Sequence, residues 1–102
     1  MISEEEKRAL SSKYFEIFVV DDYDVVLKSR NTGHYWVIRC TGEPGPQSVI
    51  IFHKHQLEDN YHLHEKTGSL QEAIRRIQGH DRFQLNGRKR VRRRRQKQPW
   101  EA

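Results

Sequence analysis

The stretch Arg88-Lys89-Arg90-Val91-Arg92-Arg93-Arg94-Arg95-Gln96-Lys97 places eight positive charges in ten residues. Arginine's planar fork makes paired, charge-assisted bonds to phosphate and stacks on bases. Neutralising phosphates releases condensed counterions, a source of affinity that is blind to sequence. Arginine-rich segments of this kind fold upon RNA. The run therefore points to nucleic acid or another polyanion, through Arg88, Lys89, Arg90, Arg92, Arg93, Arg94, Arg95 and Lys97, with Arg75, Arg76 and Arg82 as support. It also fits a solubilising terminus or an import signal. Selective reading of bases is not indicated, because the arm has no aromatic residue before Trp100.

Histidine is the second element of chemistry. His53 and His55 stand two apart in one apolar run, and His62 and His64 two apart in the next. Residues two apart in a strand share a face. A turn about Glu58-Asp59 sets His55 opposite His62 and His53 opposite His64. Four neutral imidazoles so placed are candidate ligands for zinc, nickel or copper. The plain alternative is that they occupy the solvent face, because Ile50, Phe52, Tyr61 and Leu63 form an apolar set that should meet the core. That alternative is preferred, and no metal or other cofactor is expected.

Catalytic signals are thin, and no enzyme is expected. Cys40 ends an apolar strand and reads as a buried thiol. Gly42-Glu43-Pro44-Gly45-Pro46 contains glycine but opens no helix, so it is no phosphate loop. His80-Asp81 reads as a charge beside a helix end. Trp36 shares a parity with Ile38 and Cys40 and belongs in the core, whereas Tyr35, on the opposite parity with Arg39, is the exposed aromatic.

The elements that must hold these residues follow from local pattern. Ser3 with Glu6 has capping-box spacing and starts a helix at about Glu4, carried through Ser12. Residues 14–20 suit either a continuing helix or a strand. Strands follow over residues 24–30, 34–40, 48–55 and 61–65. Asn31-Thr32-Gly33 forms the first hairpin loop and the proline-rich residues 41–47 form the next. Ser69 with Glu72 caps a second helix whose stripe is Leu70, Ala73, Ile74 and Ile77, with Gly79 at its C-terminal cap and Arg75 and Arg76 toward solvent. Phe83 and Leu85 are expected to pack a last segment, and Asn86-Gly87 marks its end. The fold class is thus α+β: a four-stranded antiparallel meander with an N-terminal and a C-terminal helix packed on it, followed by a disordered basic tail.

Charge divides the same way. Among its 102 residues, positions 1–87 carry eleven Lys or Arg against thirteen Asp or Glu, a balance of −2, and positions 88–102 carry eight against one, a balance of +7. One domain (1–87) with an appended arm (88–102) is expected. A single cysteine, an acidic N-terminus and short apolar runs suit an intracellular protein away from membranes, cytoplasmic or, in a eukaryote, nuclear. The order helix, four strands, helix resembles that of phosphopeptide-binding SH2 domains. That resemblance implies a protein–protein adaptor binding through its sheet, although the place of that family's phosphate-gripping arginine falls near Lys28. The preferred reading is a non-enzymatic binding module whose tail engages RNA or DNA through phosphates.

Overall fold

The computed structural model describes the backbone of residues 1–101 and the side chains of residues 1–86. Ser3 and Glu6 close the expected capping box, each side chain accepting from the other's backbone N–H at 3.0 Å. The helix they open, α1 (Glu4–Arg8), stops well before Ser12. Serine explains the early stop: Ser11 accepts from the Tyr14 N–H through its hydroxyl at 3.3 Å and from the Phe15 N–H through its carbonyl at 2.9 Å. Such local bonds compete with helix propagation.

The ambiguous segment is a strand, β1 (Phe15–Val20), whose Phe15 is fully buried. It is followed by β2 (Asp24–Ser29), β3 (Tyr35–Cys40), β4 (Val49–Lys54) and β5 (His62–Thr67). The protein is therefore α+β with five antiparallel strands in the order β1-β2-β3-β4-β5, one more than the SH2-like order expected. Gly33 takes the left-handed φ of 77° that its hairpin requires.

Helix α2 (Leu70–Glu101) begins where Ser69 Oγ accepts from the Glu72 N–H at 3.1 Å. Leu70, Ala73 and Ile77 are buried against the sheet and Ile74 packs at their rim. Gly79 does not cap this helix. It lacks a left-handed φ, and the helix runs on to deliver Asp81, fully buried, into bonds donated by Tyr14 Oη at 2.7 Å and Thr32 Oγ1 at 3.0 Å. Phe83 and Leu85 form no separate segment; they lie on α2, 66% and 39% exposed. The expected arm, residues 88–102, falls outside the residues whose side chains are described, and the helical backbone is continuous past Asn86-Gly87. No helix among the described residues is long and apolar enough to cross a membrane.

The largest correction concerns which face of β4 meets the core. Ile50 and Phe52 were expected to point inward, yet Val49 (4% exposed), Ile51 (0%) and His53 (2%) do so. Residues 49–52 are all apolar, so β4 alone has no parity to read. Strand β3 decides it: Trp36 lies opposite His53, Ile38 opposite Ile51 and Cys40 opposite Val49, and opposed residues share a face. The β4–β5 register also differs, with His53 opposite His62 and a bulge near Ile51 and Phe52. The core is thus Phe15, Val25, Leu27, Trp36, Ile38, Cys40, Val49 and Ile51 beneath α2, with Ile2 closing one end. Helix α1 lies beside α2, where Leu10 and Ile74 line a shared surface cleft.

This assignment makes two neighbours in sequence unequal. Ile51→Ala should cost about 2–5 kcal/mol by the usual cavity cost of a large-to-small core change, whereas Ile50→Ala should cost about 1 kcal/mol or less. Urea unfolding of the two variants measures the difference.

Candidate functional site

Two sets of side chains with chemical potential occupy opposite faces of the sheet. On the outer face the register builds rows. Lys28 lies opposite Tyr35 and Tyr35 opposite Lys54, and both ammonium groups stand over the Tyr35 ring, at 5.3 and 5.4 Å from its centroid. Phe18, pushed out at the β1 bulge, stacks near-parallel on Tyr35 at 6.3 Å, and Lys54 also sits 4.5 Å over Tyr61. The adjacent row is Val26, Val37, Phe52 and Leu63, and beyond it come Asp24, Arg39, Ile50 and Lys66. None of these side chains is buried. Lys28, Arg39, Lys54 and Lys66 face two carboxylates, Glu16 and Asp24, the latter paired with Arg39 at 2.9 Å. A domain whose total charge is negative therefore gathers positive charge on its aromatic face.

Of the supporting arginines on α2, Arg75 and Arg82 are exposed. Arg76 is engaged within the fold, donating to Glu65 Oε2 at 2.6 Å and Glu72 Oε1 at 3.2 Å. The primary candidates (Arg88, Lys89, Arg90, Arg92 to Arg95 and Lys97) have side chains outside the described set. Cys40 is buried, and burial pushes its thiol upward, the setting of a packed thiol.

The inner face holds the second set, and here the expected solvent-facing histidines are corrected. The six histidines cluster on the helix-bearing side of the sheet, His80 from α2 itself and the others in ring contact around His53, with His55 and His62 at the exposed rim. His53 is their hub. Its Nε2 lies 3.0 Å from His34 Nδ1 and its Nδ1 lies 3.4 Å from His62 Nε2. The ring of His53 packs on Trp36 at 4.2 Å, His55 stacks flat on His34 at 4.4 Å, and His64 meets His80 edge-on at 4.9 Å. His34 and His53 are buried, His64 and His80 partly so, and His55 and His62 are exposed. The Nδ1 of His80 is buried and has no hydrogen-bond partner among the described residues.

Burial pushes the His53 imidazole down to about 3, and the neighbouring His34, His80, His55 and His64 push the same way, because a second positive charge among them would be repelled. Burial also lowers His64 and His80. Tyr14, beside Asp81, is pushed up to about 12, first by burial and then by its bond to that carboxylate. Neutral imidazoles cannot form ion pairs, but each keeps one lone pair on nitrogen.

His34 and His80 were not foreseen as members of this cluster, although the pattern contains them. His34 stands two before Trp36, on the same strand parity. His80 continues the helical stripe of Ala73 and Ile77 at intervals of four and three. Comparison with known proteins finds no matching family model, no matching curated protein and no matching solved structure.

The histidine core should make the metal-free protein acid-labile. The folded state holds His53 near 3 and the unfolded chain near 6.5, so between these values the unfolded state binds more protons. Stability is complete above about 6.5 and declines as pH falls toward 3, by up to about 1.4 kcal/mol per pH unit for each such group. Urea unfolding in chelator-treated buffer between pH 7.5 and 4.5 checks this, and His53→Phe, if it folds, should flatten the profile.

Proposed function

We propose that this protein is a non-enzymatic module for single-stranded nucleic acid, with the basic residues 88–97 gripping phosphates and the outer sheet face stacking bases. The observation that carries the reading is the lysine–tyrosine–lysine row of Lys28, Tyr35 and Lys54 on a sheet face with no buried residue, in a chain whose positive excess lies wholly in one segment. Every base has a π-face, so aromatic platforms of this kind hold single strands with little sequence preference. Lysines over the ring keep positive charge where a passing backbone would run. Arginine supplies the larger, salt-sensitive share of affinity. A duplex would leave Tyr35 no unstacked base to meet, which favours a single strand.

Fluorescence anisotropy with a labelled oligouridylate tests both parts. If most of the eight arm charges meet phosphates, the log–log salt slope should be about −4 to −6. Replacing Arg92, Arg93, Arg94 and Arg95 together by Gln should flatten that slope by about 3. Tyr35→Ala should weaken the base-bearing strand about 5-fold to 100-fold and leave an abasic backbone of equal length unaffected. An unchanged slope in the four-glutamine variant would remove the arm from the interface. A Tyr35→Ala variant that binds as wild type would remove the sheet face from it and return the sheet to the protein-adaptor reading.

A further inference from the structure

The histidine cluster lies on the inner face, away from the proposed nucleic-acid surface, and has its own chemistry. Two trios in it bring three nitrogen donors within 4.8 Å of one another: His34, His53 and His80, and His53, His62 and His64. We propose that the first trio is a binding site for one divalent transition-metal ion of the zinc, nickel or copper class, held by His34 Nδ1, His53 Nε2 and His80.

Four observations converge on this. First, the trio is assembled from three separate elements, the hairpin before β3, strand β4 and helix α2, so tertiary folding alone brings it together. Second, the spacing fits. Two nitrogens bound at about 2.0–2.1 Å lie roughly 2.8 to 3.4 Å apart for angles from square to tetrahedral, and His34 Nδ1 and His53 Nε2 stand 3.0 Å apart. Third, His80 Nδ1 is a buried polar atom without a hydrogen-bond partner among the described residues. A buried nitrogen left so costs about 1–3 kcal/mol, and a bound cation would satisfy it. Fourth, the donor set is all imidazole, and the nearby buried carboxylate is committed elsewhere, since both Asp81 oxygens accept from Tyr14 and Thr32. Imidazole without carboxylate selects borderline metals over calcium and magnesium.

The inner trio is preferred over the outer one for two reasons. His34 and His53 are both buried, whereas His62 is exposed. Moreover, one neutral imidazole has one free lone pair, so His53 cannot serve both trios without losing its remaining proton. With Nε2 on the metal, His53 Nδ1–H is left to donate to His62 Nε2 at 3.4 Å, the second bond that fixes a metal-bound ring. Binding at this trio moves no covalent bond; any proton on a ligating nitrogen shifts to the other ring nitrogen or leaves to solvent. Three protein nitrogens leave the fourth position to water.

Zinc titration calorimetry on the untagged, chelator-treated full chain tests the site. Wild type should take up about one equivalent, with the melting temperature rising as zinc is added. His80→Ala should weaken binding by more than about 100-fold, while His62→Ala should keep one equivalent and weaken it only about tenfold. Long-range proton–nitrogen NMR of the wild-type imidazoles gives an answer that needs no variant to fold: zinc should move the ring nitrogens of His34, His53 and His80 most. Absence of zinc binding by the wild type overturns the proposal, and so does binding that survives His80→Ala but not His62→Ala. Ring shifts centred on His62 and His64 do the same. None of these results bears on the arm or on Tyr35, so the nucleic-acid reading stands or falls separately.

Discussion

The pairing of β3 with β4 is the constraint from which both faces of this protein follow. Trp36 opposite His53, Ile38 opposite Ile51 and Cys40 opposite Val49 form three rungs on the inner side. Because side chains alternate along a strand, those rungs send Tyr35, Val37, Phe52 and Lys54 to the other side. A slip of one residue would exchange every one of these positions. Trp36 is the strongest specifier of the register. It is fully buried, its indole N–H donates to Ser29 Oγ at 3.0 Å, and no outward placement would satisfy both its ring and its N–H.

The inner layer is apolar at one end and polar at the other. Near Ile2, Leu70 and Val49 it is a conventional core. Toward the β2–β3 hairpin it becomes Ser29, Thr32, His34, His53, His80 and Asp81, tied to one another, to Tyr14 or, for Ser29, to the Trp36 indole through side-chain contacts. Buried polar groups without partners are costly, so this end is stable only as a connected set. Asp81 binds helix α2 to the turn before β1 and to the hairpin before β3, which accounts for the helix passing Gly79 instead of ending there. Burial and the neighbouring imidazoles push His53 and His64 down, and burial lowers His80, toward the neutral form in which an imidazole nitrogen can accept a metal.

On the outer side, the same alternation spreads an aromatic and aliphatic floor between lysines. The folded domain is acidic in sum, yet Glu4, Glu5, Glu6 and Glu72 belong to the helices on the inner side while Lys28, Lys54 and Lys66 stand on the open face. The helices also carry Lys7, Arg8, Arg75, Arg76 and Arg82, which offset their carboxylates, so the feature specific to the open face is its own excess of Lys28, Arg39, Lys54 and Lys66 over Glu16 and Asp24. In the proposed reading, a basic arm and a basic face together would engage an extended polyanion better than a compact anion, because the two are carried by different stretches of the chain.

Much of this was legible in the chain itself. The capping serines, the hairpin at Gly33, the apolar stripe of α2 and the inward parity of Trp36 and Cys40 all rest on patterns within a few residues, which the sequence reports directly. Three things did not follow from it. The fate of residues 14–20 depended on an edge of β2 that only pairing supplies. The end of α2 depended on Asp81 finding Tyr14 and Thr32, far away in sequence. The face of β4 could not be read from four consecutive apolar residues, and it reversed the environment of His53. His34 shares the strand parity of Trp36 and His80 the helical stripe of Ala73 and Ile77, but the reading of His80 as a helix-end charge missed this, and which inward faces meet is a property of packing. Six histidines scattered over 47 positions became one cluster only when the sheet register and the helix laid across it brought those faces together.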